Sequence, residues 1–136
     1  MVKRLEFDAG HRLLNHESKC AHVHGHRYAV EVKVGLRDAG LDRAGRVVDF
    51  GVVKDRVGGW IDEHLDHAFI ANANDPIVPW LVEHGQRRHV VDFEPSAENL
   101  AAYILNVAIG LLDDDRLRVE SVVVHETPTG RAEARR

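Results

Sequence analysis

Three histidines at alternate positions follow the only cysteine of the chain in the stretch "CAHVHGHRY", Cys20–Tyr28. Residues two apart in an extended chain point to the same side, so His24 and His26 can reach one metal ion, and His22 has the same parity. Catalytic zinc usually has three protein ligands and a fourth position open to water or substrate. The spacing therefore indicates a metal site without deciding which histidines form it.

A third ligand from a distant part of the chain would complete such a site. His11 ends the expected first strand and would lie beside the second strand if the two strands pair. Three other histidines fall in expected loops and are interpreted as surface side chains: His16, His84 and His89.

The lone thiol of Cys20 has two chemical interpretations. It could complete a closed structural zinc site with three histidines. Alternatively, it could act as a nucleophile or proton-transfer group, because a nearby metal ion and basic side chains lower the pKa of a thiol. A buried, inert cysteine fits this histidine-rich stretch less well.

Further acid–base groups occur near the ends of two other expected elements. "EHLDHAF" places Asp66 and His67 at the end of a helix, where a carboxylate can orient an imidazole for proton transfer. "VVVHETPTG" places Glu126 on the same strand face as Val122 and Val124. Burying a carboxylate on an apolar face is costly without a partner, such as a ligand that donates hydrogen bonds.

Alternation of apolar and polar residues predicts the strands that must position these groups. They cover Lys3–Ala9, Arg27–Arg37 and Val119–Glu126, with a short closing strand at "RAEAR". The segment Ala71–Glu94 contains Asn-Asp-Pro, a second proline and a glycine. We therefore expect a long loop there, with a short strand at "RHVVDF".

Helical spacing of apolar residues predicts two helices, Asp49–Leu65 and Ser96–Leu112, with Asp49 and Ser96 as caps. Glycines at positions 58 and 59 predict a kink or break in the first helix. Each helix has a single apolar stripe, which suits packing against one face of a sheet. Strands, then two helices, then strands predict an α+β fold with an antiparallel sheet.

Length and composition limit the possible classes of protein. The 136 residues suffice for a single domain, 1–136, and 44% hydrophobic with 29% charged residues is typical of a soluble protein. A net charge of −4 without a basic stripe argues against nucleic-acid and membrane-surface partners. One cysteine and no long apolar run give no indication of secretion or membrane insertion, so we expect a cytoplasmic protein.

Six motifs along nearly the whole chain together carry a family resemblance. In order they are "FDAGH", "CxxxHGH", "VVDFGVVK", "LDH", "PSAENLA" and "HETPTGRAE". This set resembles the 6-pyruvoyl-tetrahydropterin synthase superfamily. The three residues between Cys20 and His24 are similar to its bacterial and archaeal branch, which forms 6-carboxytetrahydropterin, whereas the eukaryotic enzymes have a longer gap.

The resemblance implies roles for residues that spacing alone left open. The family's zinc ligands match His11, His24 and His26, and its catalytic cysteine matches Cys20. The glutamate that anchors the amino-pyrimidine edge of the pterin matches Glu126.

The resemblance also implies an Asp–His catalytic pair, a fold and an assembly. The pair matches Asp66 and His67. The family's T-fold has an antiparallel four-stranded sheet with two helices on one face, and its members form rings with active sites between subunits. We therefore expect a homo-oligomer, a tetramer or a hexamer. Segment 74–94 is longer than in compact relatives, and we expect it to affect the rim of the site or a subunit contact.

The activity that the resemblance implies is zinc-dependent. It converts 7,8-dihydroneopterin triphosphate to 6-carboxy-5,6,7,8-tetrahydropterin, acetaldehyde and triphosphate, on the route to 7-deazaguanine nucleosides such as queuosine. The sister reaction, elimination of triphosphate to give 6-pyruvoyl-tetrahydropterin, uses the same site. A non-catalytic zinc-binding module with a closed site is the alternative from another class of protein.

Overall fold

A single six-stranded sheet runs through the computed structural model, which describes residues 1–136. The strands are β1 (Val2–His11), β2 (His24–Leu36), β3 (Phe69–Asn72), β4 (Arg88–Val91), β5 (Leu117–Thr127) and β6 (Gly130–Arg135). Their order in the sheet is β4-β3-β1-β2-β5-β6. The α+β class is confirmed, but the expected four-stranded antiparallel sheet is wrong in both strand number and strand direction.

Four of the five strands that the sequence predicted form the antiparallel part of this sheet. β2 pairs with β1 and with β5, and β5 pairs with β6, all in antiparallel orientation. β3 and β4 extend the sheet beyond β1 with parallel pairing. β4 confirms the short strand predicted at "RHVVDF". β3 was not predicted, because its four residues are too few for an alternating pattern to be distinguished from a loop.

Three helical regions accompany the sheet, where the sequence predicted two helices. They are α1 (Phe50–Val53), joined through a π-helical segment (Lys54–Gly58) to α2 (Gly59–His64), then α3 (Ile77–Glu83) and α4 (Ala97–Leu112). Both predicted caps are present, because the Asp49 side chain accepts from the Gly51 amide and that of Ser96 from the Asn99 amide. The irregularity predicted at the paired glycines takes the form of the π-helical segment.

The unexpected helix α3 begins among residues that usually indicate a turn. Pro76 is its N-cap, and the Asp75 carboxylate just before it accepts a hydrogen bond from the Ile77 amide, the first of the helix, at 2.9 Å. Pro79 is the third residue of α3, in the first turn, where amides have no partner within the helix. A proline there removes no hydrogen bond. The prolines therefore do not prevent helix formation.

One hydrophobic core lies between a face of the sheet and the two longer helical regions. Val30, Val32 and Val34 of β2 are fully buried in it. The helices contribute Val53, Val57, Ile61, Leu65, Leu100, Ala101, Ile104, Leu105, Ala108 and Leu112. The same face of β1 carries Phe7, Ala9 and His11, all buried. Because side chains alternate along a strand, the predicted ligands project from the core side of the sheet. No helix has both the length and the apolar character needed to cross a membrane.

We predict that Asp75 makes the folded state sensitive to acid. Hydrogen bonds from the Arg12 guanidinium hold the pKa of buried Asp75 below its ordinary value, despite the opposing effect of burial. A depressed folded-state pKa stabilises the protein above the unfolded-state pKa, and this stabilisation disappears as the pH falls through the folded-state value.

Asp75→Asn should lower the free energy of unfolding by about 2 kcal/mol at neutral pH, the usual size for a hydrogen bond to a charged group. It should also flatten the loss of stability between neutral pH and about pH 3. Urea unfolding across this range measures both effects, with the exposed Asp55→Asn as matched control. Equal acid sensitivity in Asp75→Asn and the unmodified protein would contradict the prediction.

Candidate active site

The pairing of β1 with β2 brings the histidines of two strands together. His11 lies directly opposite His24 in the register, and Ala9 lies opposite His26. All three histidines therefore project from the same side of the sheet. One ligand atom from each of the three imidazoles lies within 4.8 Å of the others. We call these three residues the histidine cluster.

Hydrogen bonds to backbone carbonyls orient two rings of the histidine cluster. His11 Nδ1 lies 2.8 Å from the Pro95 carbonyl oxygen, and His24 Nδ1 lies 2.7 Å from that of His22. A carbonyl oxygen only accepts, so both Nδ1 atoms carry the proton and both Nε2 atoms present lone pairs. These Nε2 atoms are 3.1 Å apart. Converging lone pairs repel one another unless a cation lies between them, which fits a metal site.

The third ring has a buried nitrogen with no hydrogen-bond partner. His26 Nε2 is inaccessible to solvent and unpaired, an arrangement that is costly in a folded protein. Burial lowers the pKa of both His11 and His26, which keeps the imidazoles neutral and able to bind a metal ion. A metal ion held by the histidine cluster would satisfy this nitrogen.

Gly25 separates the two β2 histidines for a steric reason. A Cβ atom at this position would lie 3.0 Å from the Ala9 carbonyl oxygen on the neighbouring strand. Glycine therefore allows β1 and β2 to approach closely where the histidines of both strands must converge.

The structure shows which histidines belong to the histidine cluster, a question that residue parity alone left open. The side chain of His22 is exposed and outside the histidine cluster, although its backbone carbonyl orients His24. The surface prediction is correct for His84. It is wrong for His89, which is partly buried with Nε2 2.9 Å from the Tyr103 hydroxyl.

Cys20 lies in the connection between β1 and β2, within a single 3₁₀ turn, Lys19–Ala21. It is a partly buried free thiol, and its carbonyl oxygen accepts from the Leu13 amide at 2.9 Å. The group of converging ligand atoms contains no sulfur. This arrangement agrees better with an open three-histidine site than with a closed site.

Asp66 and His67 are in direct contact where the chain leaves α2. His67 Nδ1 lies 2.6 Å from an Asp66 carboxylate oxygen, and the other oxygen accepts from the Asp8 amide at 2.9 Å. Burial raises the pKa of Asp66, but these hydrogen bonds and the nearby charge of Arg87 outweigh it and hold the pKa below its ordinary value. The carboxylate therefore stays ionised and accepts a hydrogen bond that orients the His67 ring.

A backbone turn directs the His67 side chain outward. His67 is the only residue other than glycine with a positive φ, 56°, and its side chain is 74% exposed. This left-handed conformation is rare outside glycine and asparagine and occurs often at functional sites. The imidazole therefore remains free to meet a ligand.

His67 and part of the histidine cluster border the same open cavity of about 670 Å³. The lining residues from the histidine cluster are His24 and His26, and further lining comes from Gly25 and Trp80. Trp80 belongs to segment 74–94, so this segment does form part of the rim.

Glu126 approaches the histidine cluster from β5. One of its carboxylate oxygens lies 3.4 Å from His11 Nε2 and 3.9 Å from His26 Nε2. The pairing of β5 with β6 is irregular between His125 and Thr127, at the position of Glu126. Such bulges commonly re-aim a side chain beside a site. The carboxylate thus has imidazole neighbours on the core side of the sheet and retains partial access to solvent.

Two contributors to the site were not found from the sequence. Pro95 supplies the carbonyl that orients His11, and Arg87 donates to the backbone carbonyl oxygens of Asp62, Glu63 and Asp66. The motif "PSAENLA" indicated only the start of a helix. Backbone carbonyl directions leave no signal in residue spacing.

The α+β fold with a candidate metal site of three histidines defines the class of protein, and comparison with known proteins identifies the family. All of residues 1–136 match the family described as PTPS, 6-pyruvoyl tetrahydropterin synthase. The chain therefore belongs to this family of tetrahydropterin synthases.

Individual relatives cover nearly the whole chain. The 6-carboxy-5,6,7,8-tetrahydropterin synthase of Rickettsia bellii is 37% identical over 130 residues, 93% of each chain. The protein of the same name from Aquifex aeolicus is 33% identical, covering 96% of this chain and 94% of its own.

Solved structures agree with this fold. A protein of uncharacterised function from Wolinella succinogenes superposes with a TM-score of 0.86 and 27% identity, covering 99% of this chain and 96% of its own. The 6-pyruvoyl tetrahydropterin synthase of Caenorhabditis elegans has a TM-score of 0.72 at 21% identity, covering 100% and 94%. The second likeness concerns the fold alone.

We predict that His24 contributes to metal affinity and His22 does not. His24→Ala should weaken cobalt(II) binding by more than about 100-fold, because even the partners of metal ligands account for about 10- to 100-fold. His22→Ala is the matched control, since it retains the backbone carbonyl that orients His24. Titration with cobalt(II), followed by its visible absorption, measures both affinities. Equal losses in the two variants would contradict the assignment.

Proposed function

We propose that this protein is a cytoplasmic, zinc-dependent 6-carboxy-5,6,7,8-tetrahydropterin synthase, a carbon–carbon lyase. It converts 7,8-dihydroneopterin triphosphate and water to 6-carboxytetrahydropterin, acetaldehyde and triphosphate, on the route to queuosine and related 7-deazaguanine nucleosides. The observation that carries the proposal is the histidine cluster, with its unpaired buried nitrogen, in a chain whose relatives bear this enzyme name.

The histidine cluster suits zinc in both donor type and number. Neutral imidazole nitrogens are common zinc ligands, and three protein ligands leave a position for substrate. Zinc, when bound, supplies Lewis-acid polarisation of oxygen atoms on the substrate side chain. Cys20 lies outside the converging ligand atoms, which supports a catalytic rather than a closed structural site.

Glu126 would bind the pterin end of the substrate. The exocyclic amine and an adjacent ring N–H form a pair of donors that one carboxylate accepts in bidentate fashion. Because Glu126 lies 3.4 Å from His11 Nε2, a pterin held there would lie beside the histidine cluster.

His67 and Cys20 would exchange protons with the substrate. His67 Nδ1 donates to the ionised Asp66, which leaves Nε2 available to accept a proton and stabilises the resulting imidazolium. Cys20 supplies a second acid–base group from the connection between β1 and β2. The reaction needs proton removal from a side-chain hydroxyl and proton delivery to the pterin part, so two such groups are required.

We propose further that the active protein is a homo-oligomer, a tetramer or a hexamer, with sites between subunits. The 74% exposure of the His67 side chain in one chain supports this, since catalytic groups usually work in enclosed sites. The outer edges of β4 and β6 also have no neighbouring strand within the chain, and exposed edges pair readily with other chains.

The reaction products test the proposed function directly. Incubation of the zinc-loaded protein with 7,8-dihydroneopterin triphosphate should give 6-carboxytetrahydropterin and acetaldehyde, both identified by mass spectrometry. Removal of zinc by a chelator should stop both products, and added zinc should restore them. A 6-pyruvoyl product without acetaldehyde would instead establish the sister reaction.

Substitutions of Cys20 and Glu126 should impair different steps, turnover for Cys20 and substrate binding for Glu126. We expect Cys20→Ala to retain zinc and a substrate analogue while kcat falls by roughly 100-fold or more, as for other acid–base groups. Glu126→Ala should retain zinc but bind the analogue more weakly by about 2 kcal/mol, because the pterin donors lose their acceptor. Calorimetry and metal analysis separate the two outcomes. A sulfur ligand at about 2.3 Å in X-ray absorption would make Cys20 a ligand and contradict its proposed role.

A further inference from the structure

Glu94 uses both carboxylate oxygens to join two separate parts of the chain. Oε2 accepts from the Leu14 amide at 2.6 Å, in the connection that follows β1. Oε1 accepts from Asn72 Nδ2 at 2.9 Å, at the end of β3. The Glu94 backbone carbonyl accepts from the Asn99 side chain in the first turn of α4. One partly buried residue therefore fixes three elements relative to one another.

Only a carboxylate matches this pattern of donors. Asn72 cannot reverse its amide to offer an acceptor, because its Oδ1 already accepts from the Asn74 amide at 2.9 Å. The Leu14 backbone can only donate. Both oxygens of Glu94 thus face fixed donors, and a glutamine would place its NH₂ group against one of them.

Glu94 is connected to two residues of the candidate active site, His11 and Cys20. The next residue, Pro95, supplies the carbonyl that orients the His11 ring. The residue before Leu14 donates its amide to the Cys20 carbonyl, so the same stretch also holds the cysteine. His11, Leu14, Glu94 and Pro95 form a closed circuit of covalent and hydrogen bonds.

We propose that Glu94 is a positioning residue that sets both the orientation of His11 and the placement of Cys20. This inference rests on the proposed function only for its kinetic readout. Glu94 reaches His11 through the Pro95 carbonyl and reaches Cys20 through the connection between β1 and β2. Because a displacement of about 1 Å in a catalytic group strongly reduces its rate, this alignment controls turnover.

The test is an exchange of donor and acceptor between two side chains. Glu94→Gln leaves two donors opposed and should lower kcat and zinc affinity about tenfold or more, with KM changed less than about twofold. It should also speed alkylation of Cys20 by iodoacetamide, because the connection that carries the thiol is released. The double variant Glu94→Gln/Asn72→Asp again gives each donor an acceptor. It should return kcat, zinc affinity and the rate of Cys20 alkylation most of the way to the values of the unmodified protein.

The double variant has the same net charge as the unmodified protein, so it separates hydrogen-bond matching from a simple change of charge. Glu98→Gln, at an exposed position of α4, is the matched control and should change none of these quantities. If Glu94→Gln lowers only the thermal midpoint, with kcat, zinc affinity and alkylation unchanged, Glu94 is merely structural and the proposal fails. A double variant no better than Glu94→Gln also overturns it.

Failure of the proposed function gives a different result. If the unmodified protein does not convert 7,8-dihydroneopterin triphosphate, the enzymatic assignment fails. Zinc affinity and Cys20 alkylation across the same variants still confirm or overturn the positioning role.

Discussion

The antiparallel register of β1 and β2 is the constraint on which the site depends. It sets His11 opposite His24 and Ala9 opposite His26, so that three imidazoles converge from two strands. A slip of one residue would turn every side chain of one strand to the opposite face. The buried apolar residues farther along the same face prevent such a slip, because it would expose them to water. Core packing and ligand geometry are therefore two consequences of one strand pairing.

This register leaves a local electrostatic conflict that the rest of the site can resolve. The histidine cluster presents lone pairs at close distance, its buried imidazoles are kept neutral, and the Glu126 carboxylate lies beside it. A metal ion held by the histidine cluster would remove the repulsion and give His26 Nε2 a partner. Outside this centre, backbone carbonyls of His22 and Pro95 fix the ring orientations. The polar architecture thus favours a metal ion before any substrate arrives.

Local signals explain which elements were predictable. Asp49 and Ser96 cap their helices through amides two or three residues away, so sequence spacing was sufficient to find both. β3 was missed because a four-residue strand is stabilised by parallel neighbours distant in the sequence rather than by its own pattern, whereas the run "RHVVDF" was sufficient to predict β4. Helix α3 was missed because Asp75, which accepts from its first amide, is held by Arg12, 63 positions away.

The sequence by itself determined the chemical types of the site: imidazoles of one parity, a thiol, an Asp–His pair and a glutamate near a strand end. It placed Asp66 next to His67, but their contact depends on the left-handed turn at His67 and on the Asp8 amide that holds Asp66. Only the tertiary structure gave the distances within the histidine cluster and revealed Glu94 and Pro95 as supports. The physical reason is that spacing specifies direction within one element, whereas distances between elements depend on packing of the whole core.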